Sequence, residues 1–182
     1  MKRLLPLFVV LFGLSSVNAQ VMNTGQLLSP GKFGLSIAPC YSSGGIFLDL
    51  NAGYGLTRSV DLNFNFDLGN EYYYGNSFGA DVEWRLIGGT PALSLTTGAH
   101  TGGFSDIGFD ATFNLTFRIA SAYIYTGIDA DINIVDDGTY IPVWFFIGPE
   151  IPFRRNLSFI MEADIGFNDA PSILALGLGI YF

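Results

Sequence analysis

Val60-Asp61-Leu62-Asn63-Phe64-Asn65-Phe66-Asp67-Leu68 alternates apolar and polar residues without a break. Successive side chains of a β-strand point to opposite faces. One face of this segment is therefore Val60, Leu62, Phe64, Phe66 and Leu68, and the other is Asp61, Asn63, Asn65 and Asp67. The pattern returns as F-G-A-D-V-E-W-R-L at 78–86, F-D-A-T-F-N-L-T-F-R-I at 109–119 and L-S-F-I-M-E-A-D-I-G-F at 157–167. The chain is 49% hydrophobic with a mean hydropathy of +0.40, yet that hydrophobicity sits in alternate positions and not in continuous core segments. An apolar outside around a polar inside is the inverse of a soluble barrel and suits a cylinder standing in lipid.

Alternating runs bounded by turn residues give about ten strands, at 33–41, 46–56, 60–68, 78–86, 92–100, 109–119, 122–134, 141–151, 157–167 and 172–182, with eight as the alternative count. Most have the length that a tilted strand needs to cross hydrocarbon. The segment 141–151 is the weakest, because Pro142 and Pro149 each remove a ladder donor. Tight turns at 57–59, 87–91, 120–121 and 152–156 alternate with longer connections at 69–77, 101–108 and 135–140 that are rich in Gly, Asp, Asn and Tyr. The expected fold is all-β, a transmembrane up-and-down antiparallel β-barrel with both termini on the short-turn side.

Charge tests that parity independently. Eleven acids fall on inward rows: Asp49, Asp61, Asp67, Asp81, Glu83, Asp110, Asp129, Asp131, Glu150, Glu162 and Asp164. Glu71, Asp106, Asp136, Asp137 and Asp169 fall in the longer connections. Arg85 and Arg118 point inward near strand ends, and Lys32, Arg58, Arg154 and Arg155 lie at the short-turn end. No ionisable residue after position 19 falls on an outward row. A cation on the lipid face costs about 2–4 kcal/mol at mid-membrane, which explains the exclusion. Outward aromatic residues gather near strand ends, with Phe33, Trp84, Phe117 and Phe182 at one rim and Tyr41, Phe66, Phe78, Phe109 and Phe167 at the other, as interfacial belts do.

Lys2 and Arg3 precede an apolar stretch, Leu4 to Leu14, and then Val17-Asn18-Ala19, which fits a cleaved signal peptide over 1–19. About 11 apolar residues are too few for a membrane helix, which needs about 20. Residues 20–182 then form one barrel domain. No cysteine stands directly after the cleavage site, where Gln20 lies, so a lipid anchor is not expected. Cys40 is the single cysteine and excludes an internal disulfide.

The last strand ends S-I-L-A-L-G-L-G-I-Y-F. It resembles the C-terminal signal of bacterial outer-membrane barrels, with Gly177, Ile180 and Phe182 at the glycine, apolar and terminal aromatic positions; Ala175 departs from the polar residue usual there. The whole pattern is similar to the small, single-domain, porin-like outer-membrane β-barrel families. That resemblance implies a place in the cell outer membrane, contact with its lipid, and the barrel-assembly machinery as a partner in biogenesis. It further implies a monomer; no nucleic-acid partner is expected.

Catalysis is not expected. His100 is the only histidine, and the residues two before and two after it, Gly98 and Gly102, lack the Asp or Ser with which the known outer-membrane hydrolases pair a histidine. A hairpin between 92–100 and 109–119 could set His100 against Asp110, an orienting contact without a nucleophile. Another register sets Asp61 opposite Arg85. Asp129-x-Asp131-x-Asn133 aligns three oxygen donors of the kind calcium takes, but alternate acids on a wet wall are commoner, and no metal or cofactor is assigned. The lumen-lining candidates are Asp49, Asp67, Asp81, Glu83, Asp129, Asp131, Arg85 and Arg118. Two functions follow from an acidic lumen: a structural or surface-interaction barrel whose interior is hydrogen-bonded, with Tyr72-Tyr73-Tyr74 facing outward, or a narrow pore preferring cations.

Overall fold

A computed structural model of the chain describes residues 24–69, 76–102, 107–135, 138–168 and 170–182. The proposed signal peptide, the tyrosine triplet and the acids at 71, 106, 136, 137 and 169 lie outside the described residues. The strands are β1 (Phe33–Ser42), β2 (Gly45–Gly55), β3 (Val60–Gly69), β4 (Ser77–Ile87), β5 (Ala92–Gly102), β6 (Ile107–Ile119), β7 (Ala122–Val135), β8 (Gly138–Tyr140), β9 (Val143–Arg154), β10 (Leu157–Phe167) and β11 (Ile173–Tyr181). All pairings are antiparallel. The three-residue β8 folds back on β7, β7 continues to β9, and β1 pairs with β11, so ten long strands close a barrel. Closure leaves none of the ten long strands at a sheet edge.

Followed from strand to strand, the register advances by about 12 residues in one circuit, which for ten strands means a tilt of about 40° and a backbone diameter of about 20 Å. The parity read from the sequence holds. β1 exposes Phe33, Leu35, Ile37, Pro39 and Tyr41 and buries Gly34, Ser36, Ala38, Cys40 and Ser42. Every residue assigned above to an aromatic rim is exposed, and Phe64, between the rims, is 46% exposed. Phe33 packs on Tyr54 at the short-turn rim, with ring centroids 4.6 Å apart, and Phe66 meets Phe78 edge-on at the other, 5.9 Å apart.

The proline segment differs from expectation, and for a simple reason. Pro142 precedes β9, and its carbonyl accepts from the Asp131 N–H at 3.1 Å, so the strand begins at Val143 and runs to Arg154. Pro149 is inside it. A closed barrel offers no edge on which to hide a proline, and β9 lapses in its pairing with β10 at Gly148 and Pro149. The Met161 carbonyl, on the β10 stretch facing that lapse, accepts instead from the Tyr125 hydroxyl at 2.8 Å. β1 shows the same device: its pairing with β11 lapses at Ala38 and Pro39.

Candidate functional site

The inward rows enclose a lumen whose two levels are built differently. The level near the short turns begins with residues 24–32, which belong to no strand ladder. From the start of β1 this strap passes β2, where Gly31 donates to the Gly55 carbonyl at 2.8 Å, and β3, where the Leu28 N–H donates to a carboxylate oxygen of Asp61. It then passes β4, whose Arg85 donates to the Leu27 carbonyl at 3.4 Å. It ends against β6, where Gly25 donates to the Thr116 hydroxyl at 2.8 Å. Thr24, Leu27 and Leu28 are buried. β1 and β6 are five strands apart in a ring of ten, so the strap crosses the mouth from one side to the other. Its path is cleared by small residues: a Cβ at Gly55 would run into the Ser29 carbonyl, and one at Gly25 would come within 3.1 Å of the Ala92 carbonyl.

The opposite side of this level is filled by side chains. Tyr125 packs on Phe146 with centroids 6.4 Å apart, and both are buried together with Ile160. Gly127 and Gly148 make room for those rings, since a Cβ at either would strike a ring of Phe146 or Tyr125. Tyr181 donates to Glu150 at 2.9 Å. Ser94 donates to Glu83 at 2.5 Å, and Asn114 donates to Ser94 at 3.3 Å. Asp61, Glu83, Ser94, Asn114, Thr116 and Glu150 are all buried. Polar groups so placed must be bonded to persist, and these largely are.

The level toward the longer connections carries most of the acids. Asp49 and Asp67 face one another across β2 and β3, and Asp110 and Asp131 across β6 and β7. Four acids of this level have a donor beside them: Asn51 for Asp49 at 2.7 Å, Ser77 for Asp67 at 2.6 Å, Asn65 for Asp81 at 2.8 Å and Thr112 for Asp129 at 2.5 Å. His100 lies flat over Gly108, with Nε2 2.8 Å from Asn133 Oδ1 and Nδ1 3.4 Å from Asp110. Both ring nitrogens of His100 thus face oxygens, and the Asp131 carboxylate lies 3.9 Å from Nε2. The side chains of His100, Asp110 and Asp131 keep 20%, 13% and 14% of their exposure, so water reaches them.

Of the expected lining residues, Asp49, Asp67, Asp81, Asp129 and Asp131 share this wet level. Glu83 does not; it belongs to the filled level. Arg85 is directed to the strap, and Arg118 is exposed at the short-turn rim, 6.0 Å from the Tyr123 ring centroid. Asp61 faces Glu83 and not Arg85, and His100 faces Gly108, meeting Asp110 on the diagonal. The three aligned oxygens at 129–133 have other tasks, since Asp129 accepts from Thr112 and Asn133 from His100. Cys40 is buried, its thiol donating to the Ala38 carbonyl at 3.4 Å. On the last strand Gly177 points inward and Phe182 is exposed at the rim, its N–H donating to the Phe33 carbonyl at 2.9 Å. The strap was missed, although Leu27-Leu28 before the first strand is an apolar pair without a strand to carry it.

No family model matches the sequence, and no curated protein matches it. Solved structures do. The KdgM porin, in complex with disordered oligogalacturonate, is similar with a TM-score of 0.54 at 7% identity, over 82% of this chain and 99% of that one. A de novo designed transmembrane β-barrel gives 0.45 at 12% identity, over 85% and 98%. The N-terminal β-barrel domain of Pseudomonas aeruginosa OprF gives 0.41 at 15% identity, over 84% and 98%. At such identities the likeness is one of fold: the chain is built as a closed antiparallel barrel of the outer-membrane kind.

Proposed function

We propose that this chain is an integral outer-membrane β-barrel, with its longer connections outward, whose resting lumen is closed and whose role is structural or in surface contact. The observation that carries the location is the outward surface, apolar at every level, free of charge by parity among the described strands and belted by aromatic residues at both rims. Lipid is the solvent such a surface fits. Closure follows from the strap and the Tyr125, Phe146 and Ile160 cluster, which together occupy the short-turn level. Oligogalacturonate, a chain of sugar carboxylates, would meet a wall of acids here, so the ligand of the KdgM porin is not carried over. We assign no catalytic role; among the described residues the hydrogen-bond partners of His100 are an amide and a carboxylate. Assembly by the barrel-assembly machinery would read Gly177, Ile180 and Phe182, with the finished barrel a monomer in outer-membrane lipid. Cell fractionation with heat-modifiable gel mobility tests the location: a barrel that shifts on boiling and sediments with outer membranes is expected, whereas a salt-extractable periplasmic protein would overturn it.

A further inference from the structure

We infer that the strap of residues 24–32 is a displaceable plug, and that freeing it from the short-turn mouth converts the lumen into a cation-selective passage. This rests on the membrane-barrel reading above and adds a latent activity to it. The first support is the route. The strap links β1 to β6 across the mouth and is the only described segment that fills the β2 to β6 side of that level, the aromatic cluster lying on β7, β9 and β10.

The second is space. The wall behind the strap is cut back to Gly53, Gly55, Ala92 and Ser94, and backbone carbonyls of the strap lie where a Cβ of Gly55 would stand. Withdrawing a peptide segment that carries two buried leucines leaves an opening at least the width of that segment, room for a partly hydrated monovalent cation.

The third is the manner of attachment. From Gly31 back to Thr24, the strap makes no ladder bond among the described residues. The strap amides of Leu28 and Gly25 donate to two side chains, Asp61 and Thr116, and Leu27 and Leu28 are held by burial. A segment fixed to side chains can leave without unpairing any strand. Its departure also strips Asp61 of its amide donor and bares that carboxylate at the short-turn level of the lumen into which Asp81, Asp129 and Asp131 also point. Carboxylates lining a constriction select for cations.

The test is conductance of the refolded full chain in planar bilayers under a potassium chloride gradient, with co-flotation in liposomes and heat-modifiable mobility as the check on insertion. The native chain should be silent or flicker rarely. The double variant Leu27→Asp/Leu28→Asp, whose charges cannot stay buried, should conduct at least about tenfold more, with a reversal potential on the cation side. Asp61→Asn/Thr116→Val keeps side-chain volume, removes or weakens the two acceptors, and should give intermittent openings; it decides the matter if the charged variant does not fold. An inserted, heat-modifiable strap variant as silent as the native chain would overturn the plug and leave the membrane barrel intact. So would an anion-preferring current, or a native chain that already conducts as the variants do. A chain that does not insert would overturn the membrane reading itself.

Discussion

The two levels of the lumen are made of the same strands and follow the same parity, yet they solve opposite problems. Near the short turns the interior is dry: strap, Tyr125, Phe146 and Ile160 exclude water, and each buried acid is tied to a hydroxyl or an amide. Toward the longer connections the interior is more polar: one small apolar cluster, Ala38, Cys40, Phe47 and Ala175, is buried on the β1, β2 and β11 side, and elsewhere small residues such as Gly79, Gly98 and Gly108 let Asn65, Asp81 and His100 lie along the wall. The difference teaches that inward polarity alone does not define a channel. What decides is whether apolar mass is supplied at one level, and here much of it comes from a segment outside the barrel.

The sharpest way to break this comparison is to empty each level in turn. Tyr125→Ala removes a fully buried ring and the donor to the Met161 carbonyl, and should cost about 3–5 kcal/mol, read by urea unfolding in lipid. His100→Ala at the wet level should cost less than about 1 kcal/mol, because water replaces what is lost. Equal losses would mean the wet level is as tightly packed as the dry one. Outside the barrel the contrast should be between faces: Phe64→Arg is expected to lose about 2–4 kcal/mol while Asn63→Arg is tolerated. Similar yields of folded protein from both would show that the parity or the lipid exposure is misassigned.

Smaller effects come from the glycines. Gly148→Ala meets the Met161 backbone and should cost about 1–3 kcal/mol, whereas Gly108→Ala meets only the movable ends of His100 and Asn133 and should cost less than half as much. The smallest change in stability, within about 1 kcal/mol, is expected for Asp67→Asn/Asp81→Asn/Asp129→Asn. In a strap-freed background the same triple change should move the reversal potential toward zero. An unmoved potential would place the selecting carboxylates elsewhere.

Much of this was legible in the sequence because alternation fixes which face a residue takes. The inward acids, the rims and nearly every strand boundary follow from it. Alternation does not fix how far one strand slides past the next, since any even shift keeps the faces. Both misjudged pairings are such shifts: Asp61 meets Glu83 two residues short of Arg85, and His100 meets Gly108 two residues short of Asp110. The connections at 70–75 and 103–106 that set those shifts carry no alternation of their own. The strap was hidden for a related reason. It makes no ladder, and single bonds from Leu28 to Asp61 or from Gly25 to Thr116, 33 and 91 residues along the chain, leave no periodic trace.

The strap also bears on how the cylinder comes to be round. The seam between β1 and β11 joins segments more than a hundred residues apart, for example Gly34 with Tyr181, and bringing such distant ends together carries the largest loop-closure entropy in the molecule. The contacts of the strap with β3, β4 and β6 need only the first six strands. Tied at β1 and at β6, the strap is a bowstring across half the cylinder: its ends fix the curvature of that arc independently of the β1–β11 seam.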